Sequence, residues 1–305
     1  MNNRNTLIVL LGPTGVGKTA LSFRLAEHLQ TPVISADSRQ FYRGLEIGTA
    51  APTAEEQARV KHYFIGNLNI TDYYNAAQYE TDVLQLLETD IFPKHNTALL
   101  VGGSMMYIDA VCKGIDDIPN ADEEIRQSLW QIFECEGIEP LRAQLKLLDP
   151  AHYAEVDLMN HKRIIHALEI CLTAGKPYSS FRTKTTKPRT FRILKIGLDR
   201  PREELYERIN CRVDEMISAG LEHEARRVYP QKELNALNTV GYKEFFQYFD
   251  GAWSYDYAVE MIKQDSRRYA RKQLSWFRRD KSIHWFNPDN EEDIIPFIES
   301  TFFAL

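Results

Sequence analysis

Leu7-Ile8-Val9-Leu10-Leu11 runs straight into Gly12-Pro13-Thr14-Gly15-Val16-Gly17-Lys18-Thr19, and a helix-like stretch from Thr19 to Gln30 follows. An uninterrupted run of Leu, Ile and Val reads as a strand buried on both faces, the kind that parallel sheets use. The eight residues after it match the phosphate-binding loop pattern in full, in the context the pattern requires: strand before, helix after. Glycines let backbone N–H groups converge on phosphate oxygens, and the helix N-terminus adds its dipole. Lys18 supplies a point charge, and Thr19 can hold Mg²⁺. The loop does not by itself say which phosphate compound is bound.

Working outward, Val33–Ala36 and Ala98–Val101 have the same buried-strand character, and Phe191–Leu198 alternates as a fourth candidate strand. Helical stretches separate them, so the class is α/β with a parallel sheet flanked by helices. From about residue 118 to 190 the pattern is helical only (IRQSLWQIF, LRAQLKLL, HKRIIHALEICL). That stretch reads as a helical insertion, which leaves 1–117 and 191–305 as the core. Leu205–Ile217 and Tyr257–Phe277 are the strongest helices of the C-terminal part.

The chain of 305 residues is 44% hydrophobic and 26% charged, an ordinary globular composition that excludes disorder and collagen-like repeats. The apolar run at the N-terminus is far shorter than the ~20 residues of a membrane span or the ~7–15 of a signal-peptide core. A cytoplasmic, monomeric protein without a membrane partner is expected. Cys112, Cys135, Cys171 and Cys211 form no close pair, and the eight histidines form no HxxxH or HExxH pattern, so no zinc or histidine–metal site is assigned.

Net charge is −6, but it is polarised. Residues 182–192 carry +5 and residues 263–281 carry +6, leaving −17 for the rest. Such a chain can steer a polyanion to one face. In the second stretch Arg268, Lys272 and Arg279 fall on one helical face, while Ala270, Leu274 and Phe277 fall on another that reads as core. A merely solvated basic face is the competing reading of the first set.

Two further loops follow strands. Ser35-Ala36-Asp37-Ser38-Arg39-Gln40 closes the second strand, at the sheet edge where open α/β folds bind ligands. A carboxylate there can act as general base; alternatively, Asp37 or Ser38 caps a following helix. Gly102-Gly103-Ser104 follows the third strand, and its glycines allow close approach to a ligand or simply make a tight turn.

Taken in order, GPTGVGKT, SADSRQFY, EIGTAAP (46–52), GGSMMY (102–107), NTVGYKEF (238–245) and YARKQLSWFRR (269–279) resemble the tRNA dimethylallyltransferase family, over about residues 7–287. The resemblance implies a P-loop NTPase-like core with a helical insertion. It also implies prenylation of N6 of adenosine 37, beside the anticodon, with dimethylallyl diphosphate as donor and Mg²⁺ as cofactor. By motif, Asp37 resembles the residue that accepts the N6 proton, Thr19 the one that holds diphosphate and Mg²⁺, and Arg212 the arginine that reaches the diphosphate. Asp37, Ser38, Arg39, Gln40, Ser104 and the insertion segment His161, Lys162, Arg163, Ile164 and Ile165 match tRNA-contacting segments, and the basic stripe joins them. Ser104, Ala51, Asn160 and His166 depart from the usual family residues, and the absence of paired cysteines toward Leu305 suits the bacterial form.

Two other functions suit part of this pattern. A P-loop kinase of a small metabolite would fill the loop with ATP and use Asp37 on an acceptor hydroxyl, but leaves the basic C-terminal helix unexplained. A nucleotide-dependent RNA-binding switch would use the basic helix and need no base at Asp37.

Overall fold

The computed structural model of the protein describes residues 5–119, 122–183 and 185–303. Six strands form one sheet: β1 (Thr6–Leu11), β2 (Val33–Ala36), β3 (His62–Tyr63), β4 (Thr97–Gly102), β5 (Arg192–Leu198) and β6 (Ile283–Phe286). Their order is β3-β2-β4-β1-β5-β6, and every pairing is parallel. The four expected strands are therefore joined by two short edge strands.

In chain order the helices are α1 (Lys18–Leu29), α2 (Ala54–Arg59), α3 (Ala76–Leu86), α4 (Met105–Lys113), α5 (Glu123–Glu136), α6 (Glu139–Leu148), α7 (Pro150–Glu155) and α8 (His161–Ala174). After β5 come α9 (Arg202–Ser218), α10 (Leu221–Val228), α11 (Tyr242–Phe249), α12 (Tyr255–Phe277) and α13 (Glu291–Phe303). None of the described helices is long and apolar enough to cross a membrane.

The period of two along β1 sorts its side chains into two cores. Leu7, Val9 and Leu11 pack with residues of α3, α4, α11 and α12, whereas Ile8 and Leu10 pack with residues of α1, α9 and α13. Helices thus cover both faces, which is why a run with no polar residue is stable in the centre of the sheet. Because the strands are parallel, the loops after β1, β2 and β4 leave by the same edge. The register brings them side by side: Leu11 pairs with Gly102, and Ala36 pairs with Gly102.

The chain divides into two compact units, Met1–Cys112 with Pro188–Leu305, and Lys113–Lys187. The second begins and ends a few residues before the expected 118–190. The Lys187 N–H donates to the Lys113 carbonyl at 2.7 Å, which closes the insertion on itself. Arg189 is held in the core unit by Glu80 and by the carbonyls of Ala110 and Val111.

Within the second unit α5, α6 and α8 surround Leu129, Leu141, Leu145, Ile164, Ile165 and Leu168. Its buried polar groups are paired. Glu169 is bound by Arg126 and His166, each at 2.7 Å, and Asp149 accepts from the N–H groups of His152 and Ser179.

Candidate active site

One cavity of about 1210 Å³ opens at the carboxyl edge of the sheet in the core unit. Thr14, Lys18 and Thr19 line it from the first loop, Asp37 to Gln40 from the second and Gly103 from the third. Arg212 reaches it from α9, and Arg268, Tyr269, Lys272 and Gln273 from α12.

The phosphate loop joins β1 to α1, whose N-cap Gly17 offers no side-chain acceptor, so the first N–H groups of the helix are open to an anion. Lys18 Nζ folds back onto the carbonyls of Gly12 and Pro13 at 3.0 and 2.8 Å. Burial and the nearby Arg212 push its ammonium down to about 7, with Asp37 pulling the other way. Arg212 places Nη1 3.4 Å from Thr14 Oγ1. Burial lowers its pKa too, opposed by Asp37 and Glu215. Two cations that lose solvation side by side form a site that gains stability from a polyanion. Arg200 braces the loop from outside by donating to the Val16 carbonyl at 2.9 Å.

Asp37 directly follows β2, and turns come after it instead of a helix, so the helix-cap alternative fails. Its Oδ1 accepts from the Arg39 N–H at 3.0 Å; Oδ2 makes no hydrogen bond among the described residues and is available to a substrate. The Ser38 N–H donates to Ser104 Oγ at 2.9 Å, while the Ser104 N–H donates to the Ala36 carbonyl. Ser104 is thus buried under the Asp37 turn, and Tyr269 lines the same cavity from α12. Burial, reinforced by Asp37, pushes that phenol up to about 12, so it stays protonated.

Gln40 is also engaged within the protein. Its Oε1 accepts from Ser35 Oγ at 2.9 Å, and its Nε2 donates to the carbonyls of Thr49 and Ala50 at 3.2 and 3.3 Å. Arg39 donates to the Asn238 carbonyl. The Ser38 hydroxyl accepts from Ser104 Oγ at 3.2 Å.

Gln273 was not foreseen. It is buried in α12, accepts from the Thr14 N–H at 2.9 Å and donates to the Gly103 carbonyl at 2.9 Å, so it ties the first loop to the third. Gly103 lets this amide approach: a Cβ there would stand 2.3 Å from Gln273 Nε2 and would displace it. The signal available was a lone amide three residues after Ala270, on the apolar side of the helix.

Other expected sites are corrected. Ile164 and Ile165 are 0% and 2% exposed and build the core of the second unit, which leaves His161, Lys162 and Arg163 on the outer side of α8. His161 stacks on Phe133 with ring centroids 4.3 Å apart. The basic stripe is not one uniform face either. Arg268 and Lys272 line the cavity, but α12 ends at Phe277, so Arg279 lies beyond it, over the Trp276 ring at 5.5 Å. Arg268 is paired with Asp265 at 2.9 Å, whereas Arg271, Lys272 and Arg279 have no acidic partner among the described residues. In 182–192, Arg182, Lys187 and Arg189 are paired with Glu155, Asp117 and Glu80, and Lys184 lies outside the described residues.

Thr19 faces the cavity from the first turn of α1. No cluster of three or more His, Cys, Asp or Glu suited to a metal exists among the described residues. One hydroxyl beside a phosphate loop is a donor set that suits Mg²⁺, which keeps its waters and takes most other ligands from substrate phosphates.

The sequence matches the family model described as IPP transferase over residues 40–280. It is 61% identical to tRNA dimethylallyltransferase 1 of Phocaeicola vulgatus over 97% of this chain and 98% of that protein. Among solved structures, the full-length tRNA isopentenylpyrophosphate transferase of Bacillus halodurans superposes with a TM-score of 0.70 at 35% identity, covering 98% of this chain and 97% of that one. The Staphylococcus epidermidis tRNA delta(2)-isopentenylpyrophosphate transferase does so with 0.70 at 30%, over 97% and 99%. With the parallel sheet, the phosphate loop and Asp37 at one edge, and with likeness running from end to end, the chain belongs to the IPP transferase family.

Proposed function

We propose that this protein transfers a dimethylallyl group from dimethylallyl diphosphate to N6 of adenosine 37 in tRNA, giving N6-isopentenyladenosine and diphosphate. The observation that carries this reading is the pairing of opposites in one cavity: Lys18, Arg212 and the open end of α1 on one side, and the Asp37 carboxylate on the other.

In the reaction the donor's C1–O bond breaks and a C1–N6 bond forms. The N6 lone pair is delocalised into the ring, so the amine must lose a proton as it attacks, and Asp37 Oδ2 is free to take it. The electron pair of the breaking bond leaves with the diphosphate, whose growing charge meets the loop amides, Lys18 and Arg212. Mg²⁺, held by Thr19 and the diphosphate, would add charge neutralisation there. The phosphate loop thus cradles a leaving group. An anticodon-loop adenine is already unpaired, so its extrusion costs only a few kcal/mol.

Incubation with unmodified tRNA, Mg²⁺ and either dimethylallyl diphosphate or ATP, followed by nucleoside mass analysis, tests the reading. An adenosine heavier by one C5H8 unit, formed only with the prenyl donor, is expected. ATP-dependent phosphorylation of an acceptor without prenylated adenosine would contradict it.

Lys18 gives donor binding a pH signature. A bound diphosphate raises the depressed pKa of Lys18, so the complex holds more protons than the free enzyme. Affinity is therefore full below about 7 and falls as pH rises through it, by up to ~10-fold per unit. Calorimetric titration at pH 8 in buffers of different ionisation heat should show proton uptake that Lys18→Gln abolishes; affinity flat from pH 6.5 to 9 would refute this.

The stripe is read by salt dependence. Each lost phosphate contact flattens the log–log slope of RNA binding by ~0.7–0.9. Replacing Arg268, Lys272 and Arg279 together by Gln should lower the slope by ~1.4–1.8, the share of the latter two, since Asp265 already offsets Arg268. Donor affinity should stay the same. An unaltered slope would make the stripe a solvated face.

A further inference from the structure

Glu224, on α10, is a carboxylate 2% exposed that has no cationic partner among the described residues. It is held by neutral donors instead. Oε2 accepts from the Ile47 N–H at 2.9 Å, and Oε1 accepts from the Gly48 N–H at 2.8 Å and from the Tyr242 hydroxyl at 2.6 Å. A charge buried this way is costly unless its lone pairs are filled, so the three donors and the carboxylate fix one another. Tyr242, fully buried on α11, closes the clamp from the other side. Gly48 has to be glycine here, since a Cβ would lie 2.5 Å from the Tyr242 hydroxyl oxygen.

The clamped backbone leads to the site. Thr49 and Ala50, next in the chain, present the two carbonyls that hold Gln40 Nε2, and Gln40 Oε1 holds the Ser35 hydroxyl. Ser35 Oγ in turn accepts from the Asp37 N–H at 3.3 Å. An unbroken path of hydrogen bonds and backbone therefore connects α10 and α11 to the turn that carries Asp37.

We propose that Glu224 and Tyr242 are positioning residues for prenyl transfer: they clamp the Ile47–Ala50 loop, and through Gln40 that loop sets the turn that carries Asp37. For its effect on catalysis this rests on the function proposed above. A shift of even ~1 Å in a base can cost ~10²-fold in rate.

Glu224→Gln sets an amide NH₂ against N–H or O–H donors while keeping the helix intact. Hydrogen exchange of the variant should be at least ~10-fold faster at the Ile47 and Gly48 amides and also at Asp37 to Arg39. Single-turnover transfer with both substrates saturating should slow by ~10- to 100-fold, while RNA affinity changes by less than about threefold. Tyr242→Phe should move both readouts the same way by less, and serves if Glu224→Gln does not fold. Combined with Gln40→Ala, either substitution should be less than additive, because one path is being cut twice. Faster exchange confined to the 47–50 loop, an unchanged single-turnover rate or full additivity with Gln40→Ala would each overturn the proposal. If the unaltered protein transfers no prenyl group, the functional reading fails, and the exchange measurement still decides whether the clamp reaches the Asp37 turn.

Discussion

Asp37→Ala is expected to slow the chemical step of prenyl transfer by ~10²- to 10⁴-fold, the range of a positioned general base. RNA affinity should be nearly unchanged, because the Ser38 and Ser104 contacts beneath the turn remain. Asp37→Asn is the sharper variant. Its side-chain oxygen can still accept from the Arg39 N–H, so the turn keeps its shape and only the base is lost. Both variants should be comparably slow in single-turnover transfer. A fast Asn variant beside a slow Ala variant would make Asp37 a turn-former; two fast variants would remove it from the chemistry.

The second large effect belongs to Arg212. Its guanidinium is partly desolvated beside Lys18 and Thr14, where it meets charge that grows as the C1–O bond breaks. An interaction that strengthens toward the transition state appears in kcat. Arg212→Ala should lower kcat by ~10²- to 10³-fold with a smaller change in donor KM, as for removal of one oxyanion donor. Arg212→Lys should recover little, because an ammonium cannot reproduce the planar guanidinium fork. Unchanged kcat and KM for the donor in Arg212→Ala would place Arg212 on the helix surface as decoration.

The parts of the molecule that a sequence displays are those encoded contiguously. β1, β2 and β4 are largely apolar runs because helices cover both faces of the sheet, β5 alternates around Lys195, and the phosphate loop is eight consecutive residues. The edge strands β3 and β6 escaped notice: His62–Tyr63 is only two residues long, and His284 is exposed within β6. In the site, Asp37 was legible because it directly follows a strand.

Gln273 and Glu224 were not, because their partners lie far away along the chain: Gln273 meets Thr14 and Gly103, and Glu224 meets Ile47 and Gly48. Ile164 and Ile165 show the opposite error. A contiguous motif takes in every residue of a helical turn, whereas the helix sends only some of them outward. Arg279 fell outside the expected face because a helical projection was carried past the residue where α12 stops.

In the proposed reaction the phosphate loop holds a leaving diphosphate and transfers no phosphoryl group. The most direct measurement uses dimethylallyl diphosphate carrying ¹⁸O at the oxygen that bridges C1 and the α-phosphorus. After turnover on tRNA, cleavage of the C1–O bond puts all of the label in the released diphosphate and none in a prenyl alcohol. Label retained on dimethylallyl alcohol, with phosphate or diphosphate attached to an acceptor, would mean that the P–O bond breaks, and would contradict the roles assigned to Asp37, Lys18 and Arg212.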